Sequence, residues 1–222
     1  MIEIWDYQTK LKEYEFQIGS IPIRSISFHS HLPLLASGGD DDCIRIWNYQ
    51  EKKIEIEFSS MHTDYIRSVK FHPHYDWLLI SGSDDMTIRL WNIIEKQCIS
   101  VLKEHKHYVM SVCFHPIDDL IVSASLDRTI RIWDFHGLVV QRHQQQQQQE
   151  QLQQGTNDNA DVVRVRSILE GHERGVNYVS FHPADPLILL SASDDKTIKL
   201  WKQVGIEPVS SRQYPLFFSS SP

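Results

Sequence analysis

Residues 83–91 read SDDMTIRLW, and nearly the same string returns as GDDDCIRIW at 39–47, SLDRTIRIW at 125–133 and SDDKTIKLW at 193–201. Two adjacent carboxylates, reduced to one in SLDRTIRIW, a short run that alternates apolar and polar, and a closing tryptophan make one unit, used four times. The alternation has a period of two. It puts Ile88 on the opposite face from Arg89, as a strand requires. The tryptophans Trp5, Trp47, Trp91, Trp133 and Trp201 are spaced by 42, 44, 42 and 68 residues, the last gap being one period plus an insertion. A repeat of this length must be explained before any single residue in it.

Aligned on tryptophan, each unit shows an apolar stretch ending in Phe-His, at Phe28, Phe71, Phe114 and Phe181. A small-residue strand such as LIVSAS, the aspartate turn and the tryptophan strand follow. Pro73, Pro116 and Pro183 follow the Phe-His step and mark an exit from a strand into a turn. KIEIEF at 53–58 alternates in the same way, and no helical periodicity is evident. Four short strands per unit of about 42 residues predict an all-β chain built of propeller blades.

Four residue types recur at fixed distances before the tryptophan. Six residues back stand Asp41, Asp85, Asp127 and Asp195, and ten back stand Ser37, Ser81, Ser123 and Ser191. Histidine stands further back as His62, His105 and His172, with Gly19 in its place in the first unit. An aspartate can accept from the histidine ring, the second ring nitrogen can meet the serine hydroxyl, and that hydroxyl can take the indole N–H of Trp91, Trp133 or Trp201. Such a chain leaves few polar atoms unpaired. The recurrence argues for a structural clamp and against a Ser-His-Asp nucleophile, which an enzyme needs once and in a pocket. The pairs His29/His31, His72/His74 and His105/His107 sit mostly at strand exits, and no cysteine or acid stands at metal-ligand spacing from them. No metal and no cofactor are expected.

Composition narrows the partners. The chain has 222 residues, 41% of them hydrophobic, and a formal charge of -7. That balance disfavours a phosphate-backbone binder and favours cationic partners. Cys43, Cys98 and Cys113 are odd in number and widely spaced, so they form neither a disulfide framework nor a zinc knuckle. No basic-then-apolar leader opens the chain, and no apolar run approaches the ~20 residues that span a bilayer, so a cytoplasmic location is expected.

The Asp-His-Ser-Trp pattern resembles the WD-repeat family, whose blades carry this tetrad. The strings DYIR at 64–67, HYVM at 107–110, SASLDRTIRIWD at 123–134 and GHERGVN at 171–177 sharpen the resemblance over residues 1–202 to the first propeller of the coatomer alpha-subunit family, with beta-prime close behind. The resemblance implies a non-enzymatic module of the COPI coat that binds dilysine retrieval signals at the carboxyl end of membrane cargo, in Golgi-to-ER and intra-Golgi transport. Other coatomer subunits would be its partners, and it would lie peripherally on Golgi and vesicle membranes, with no nucleic acid bound. Carried onto this sequence, it implies that Tyr65, Asp84 and Tyr108 contact lysine and that Arg24 faces the terminal carboxylate. Asp64 and Asp194 are further candidates from the beta-prime pattern. On this reading the second aspartate of each turn serves the clamp, while Asp40, Asp84, Leu126 and Asp194 project from a rim, where the three acids, beside aromatic residues of the neighbouring loops, would make a cation-attracting basin. The alternatives are a general WD-repeat scaffold, such as a ubiquitin-ligase substrate adaptor, and a non-functional truncated coatomer fragment.

Two segments stand outside the repeat. Residues 136–163, rich in glutamine and then in asparagine and aspartate, are expected to be a disordered insertion between the third and fourth strands of one blade. Residues 203–222 contain no repeat motif and are expected to be a disordered tail. The arc over 1–202 is therefore expected to hold four and a half to five blades of the seven the resemblance implies, as in a fragment.

Overall fold

The computed structural model describes residues 1–17, 19–149, 162–203 and 217–219, and among these it contains 18 strands and one helix. β1 (Ile2–Trp5) and β2 (Lys12–Phe16) form a two-stranded sheet. Four four-stranded sheets follow, each a meander in chain order. The first is β3 (Ile23–Phe28), β4 (Leu34–Gly39), β5 (Ile44–Asn48) and β6 (Lys53–Phe58). The second is β7 (Ile66–Phe71), β8 (Leu78–Ser83), β9 (Ile88–Asn92) and β10 (Gln97–Leu102). β11 (Val109–Phe114), β12 (Leu120–Ser125), β13 (Ile130–Asp134) and β14 (Arg164–Leu169) make the third. β15 (Val176–Phe181), β16 (Ile188–Ser193), β17 (Ile198–Gln203) and β18 (Phe217–Ser219) make the fourth. The predicted blades are these sheets. Internal contacts divide the chain into two units, Met1–Val112 and Cys113–Pro222, with the boundary inside β11.

The repeated string makes the turn between the second and third strands of each blade. In the second blade the Ser83 hydroxyl accepts the Asp85 amide at 3.1 Å, and Asp85 Oδ1 accepts both the amide and the hydroxyl of Thr87, at 2.9 and 2.6 Å. The residue after the clamp aspartate takes a left-handed backbone in every blade, at Asp42, Met86, Arg128 and Lys196, which closes the turn tightly. Strand period two then sends Ile88 and Leu90 into the core, where both are fully buried.

In the first unit the core joins Ala36, Ile44 and Ile46 of the first blade to Ile66, Val69 and Phe71 on β7 and to Trp91. The second unit repeats this with Val122, Ala124, Ile130, Val176, Val179 and Trp201. Blade spacing depends on small residues. A Cβ on Gly38 would lie 2.5 Å from Ile66 Cγ2. Serines on the innermost strands stitch neighbouring blades: Ser25 Oγ accepts the Val69 amide and Ser27 Oγ the Phe71 amide, each at 3.1 Å, and Ser68 Oγ accepts the Val112 amide at 3.2 Å.

Two expectations change. Helix α1 (His136–Gln149) opens the segment read as disordered and without helix. That reading asked whether the composition could build a core, whereas a helix needs only good intrinsic formers such as Gln, Leu and Arg and a start signal. Asp134 Oδ1 accepts the His136 amide at 3.0 Å, and Val139 is buried. Residues 150–161 of that insertion lie outside the described residues. The insertion does fall between third and fourth strands, β13 and β14. In the segment read as a disordered tail, β18 pairs with β17 from Trp201↔Ser219 to Gln203↔Phe217, because strand addition needs backbone groups and no motif. Residues 204–216 and 220–222 lie outside the described residues.

Candidate functional site

The clamps come first, because they fix the turns that carry the site. In the second blade Asp85 Oδ2 lies 2.7 Å from His62 Nδ1, His62 Nε2 lies 2.6 Å from Ser81 Oγ, and Trp91 Nε1 donates to the same oxygen at 2.8 Å. His172, Asp195, Ser191 and Trp201 repeat this at 2.7, 2.7 and 2.8 Å. In the third blade Trp133 Nε1 donates to Ser123 Oγ at 2.9 Å, Asp127 holds Thr129, and His105 is buried. Burial opposes ionisation of Asp85, but the His62 ring, by hydrogen bond and charge, and Thr87 outweigh it and hold the carboxyl well below its usual range. At Asp195 burial is likewise outweighed, here by Thr197 and His172. Ser81 has no exposed surface and its oxygen already takes the indole, so it is a clamp atom and offers no nucleophile.

The first blade lacks three clamp parts at once. Gly19, Gly39 and Cys43 stand where the second blade has His62, Ser83 and Thr87. Trp47 still donates to Ser37 Oγ at 2.8 Å, but Asp41 turns to Arg45, which also reaches Glu57 at 2.8 Å.

The rim carboxylates differ from the expectation. Asp84 is not free to project: its side chain is 4% exposed, and Arg67 Nε and Nη2 hold Oδ1 and Oδ2 side-on, the former at 2.8 Å. Asp40 is held in the same way by Arg24, at 2.7 Å from Nε and 2.5 Å from Nη2. The Arg24 bond pulls the Asp40 carboxyl down. Each turn is also strapped to the chain leading into its first strand, by Asp40 N–H to Pro22 O at 3.1 Å and Asp84 N–H to Tyr65 O at 2.9 Å. The Arg67 guanidinium lies over the Tyr65 ring at 5.6 Å. In the second unit the Asp194 side chain accepts, among the described residues, only the neutral amide of Asn177 and remains exposed. Its charge is therefore open to solvent. At Asp40 and Asp84 the basin is neutralised by arginine.

The other candidates lie in the first unit. Tyr65 is 41% and Tyr108 37% exposed. Asp64 is half-buried and accepts the Tyr65 amide at 2.8 Å. The Asp42 carboxyl, which was not singled out from the sequence, is raised by burial and then by the Asp64 charge.

The Phe-His histidines are turn caps, also unforeseen. His29 Nδ1 accepts the amides of His31 and Leu32, both at 3.0 Å, and His72, His115 and His182 repeat the motif. His29, His31 and Asp76 lie close enough together to suggest a metal. With Nδ1 accepting two amides, however, the His29 proton must sit on Nε2, where it donates to Asp76 O at 3.0 Å, so neither ring nitrogen is available as a ligand.

The family model described as "WD domain, G-beta repeat" matches residues 11–48, 55–92, 96–134 and 163–202. The chain belongs to the WD-repeat family. These WD-repeat blades are similar to those of curated coatomer subunits. A probable coatomer subunit beta' of Schizosaccharomyces pombe is 33% identical over 107 residues, 47% of this chain and 10% of that protein. Coatomer subunit alpha of Saccharomyces cerevisiae is 63% identical over 38 residues, and that of Dictyostelium discoideum 60% over 40, each stretch covering 3% of the relative. The chain thus matches a tenth or less of the length of these relatives. Among the described residues no helix is long and apolar enough to cross a membrane.

Proposed function

We propose that this chain is a non-enzymatic binding module of a COPI vesicle coat that recognises carboxyl-terminal dilysine signals of membrane cargo. The observation that carries the reading is the setting of Arg24. Asp40 holds its guanidinium side-on at the rim, the side chain is 41% exposed, and its remaining N–H donors have no protein partner among the described residues. A terminal carboxylate needs such a fork. The likeness to coatomer alpha and beta-prime proteins supports the choice of cargo over other peptides, and other coatomer subunits are the partners that would bring the module to Golgi and vesicle membranes from the cytoplasm.

An ammonium group has three donors and suits a carboxylate with tyrosine hydroxyls or ring faces nearby. In the first unit Asp64 beside Tyr65, and Tyr108, offer these groups. Asp84 does not while Arg67 holds it. Calorimetry with a peptide ending Lys-Lys-Ala-Ala tests the reading: the peptide should bind, and replacing both lysines with alanine should abolish binding. Equal binding of the two peptides would reject it in favour of a general WD-repeat scaffold.

A further inference from the structure

The turn between the first two strands of the third blade, residues 116–119, hangs on one imidazole. His115 is 5% exposed, and its Nδ1 accepts the amides of Ile117 at 3.2 Å and Asp118 at 2.8 Å. With that nitrogen accepting, the ring proton must sit on Nε2, where it donates to Pro186 O in the fourth blade at 3.1 Å. The ring also meets Phe181 of β15 edge-on, with 4.7 Å between centroids. One neutral ring therefore holds its own turn and fastens it to the next blade.

The same turn seats helix α1. Asp119 O accepts the amide of Phe135, the residue just before the helix, at 3.0 Å, and the Asp119 carboxylate lies 2.7 Å from Nδ1 of His136, the first helical residue. Phe135 itself is fully buried against Phe114.

A second proton on His115 can go only to Nδ1. Two amide hydrogens already point at that atom, so a charged ring must expel them and the turn loses its cap. Burial is the largest influence on the ring and opposes the charge, and Arg166 on β14 adds to it. The Asp118 carboxylate, 3.8 Å from Nδ1 on the same turn, and the Pro186 carbonyl favour the charge without reversing the balance, so His115 is held below the ordinary histidine value.

We propose that His115 is an acid-sensitive bolt: protonation releases the turn at 116–119 and with it the seat of helix α1, so the base of the glutamine-rich insertion loosens from the third blade as pH falls. A histidine lowered in the folded state stabilises the closed turn fully above its ordinary value of about 6.5, and that contribution is lost progressively as pH falls below it.

Hydrogen exchange of the full chain, corrected for the intrinsic rate at each pH, tests this. The opened turn frees a ring that titrates at about 6.5, so the opening equilibrium should rise about tenfold between pH 7.5 and pH 5.5. The amides of Ile117, Asp118 and Phe135 should lose protection together by that factor, while those of Val122 and Ala124 on β12 keep theirs. Constant protection at Ile117 and Asp118 overturns the bolt, and a response there without one at Phe135 overturns its link to the helix. His115→Asn supplies an acceptor at the δ position that does not titrate and should abolish the response; a response that survives the change overturns the assignment to His115. The parent ring decides the matter even where that variant folds poorly. Its nitrogen resonances should show the Nε2–H tautomer at pH 7.5 and a titration midpoint below about 6.5. The other tautomer, or a midpoint at or above that value, overturns the proposal.

Discussion

Replacing Arg67 by methionine while Asp84 remains should be among the costlier single changes in the first unit. Asp84 is 4% exposed and both of its carboxylate oxygens are held by Arg67, so the variant strands an ionised group that water barely reaches. Breaking a fully buried pair from one side costs about 3–5 kcal/mol, and the 23% exposure of Arg67 places this case at the low end, about 3 kcal/mol. Asp84→Leu should cost only about 1 kcal/mol, since the freed guanidinium can turn to solvent. The double variant Arg67→Met/Asp84→Leu removes both charges together and should lie within about 1 kcal/mol of the parent, a coupling of about 3 kcal/mol between the sites. Urea unfolding of the parent, both singles and the double measures each term from the midpoints at constant slope. Additive losses, or an Arg67→Met cost under about 1 kcal/mol, would refute the claim that Asp84 is sealed from water beneath Arg67.

Three further outcomes follow from the fold. Asp85 and Asp195 ionise more readily in the folded chain than in the unfolded one, so the stability they contribute is fully present above about pH 4 and is lost as pH falls from there towards their depressed folded values; Asp85→Asn should flatten the acid limb of the melting profile, and an unaltered limb would count against the clamp. Gly38→Val should cost about 2–3 kcal/mol in urea unfolding, because even the first added carbon meets Ile66 at 2.5 Å, and a neutral result would mean that the blades can move apart. Deleting residues 145–160 should change stability by no more than about 1 kcal/mol, since closure entropy varies slowly with loop length, and a large loss of folded yield would show that the segment packs.

What could be read in the chain beforehand was whatever recurs at constant spacing. The tryptophan strands, the Asp85–His62–Ser81–Trp91 clamp and its copies, and the site of the insertion all belong to this class. The state of Asp84 does not, because its partner lies 17 residues earlier on another strand, and nothing in SDDMTIRLW itself announces an arginine. A signal was nevertheless present. The position in the middle of DYIRSV and the first position of the turn read Arg24 with Asp40, Arg67 with Asp84, Met110 with Leu126 and Asn177 with Asp194, so each arginine goes with an acid, the apolar residue with an apolar one, and an amide donor with the last acid. The turn-capping histidines were visible as Phe-His, but only the geometry assigns the proton to the far nitrogen. Helix α1 and strand β18 rest on local propensity and backbone pairing, which a search for repeats passes over.

The exchange of clamps in the first blade gives that sheet a different response to ionic strength. The second blade is locked by a hydrogen-bonded chain whose inner members are enclosed, with His62 2% and Ser81 0% exposed, so dissolved ions compete with it poorly. The first blade relies instead on Arg45 between Asp41 and a Glu57 side chain that is 43% exposed, where counterions can compete. At about 1 M salt the screening length shrinks to about 3 Å, the scale of these contacts themselves. Amides of β4 and β5 should then exchange with solvent faster as salt rises while those of β8 and β9 keep their protection, so one blade would breathe with the medium and its neighbour would not.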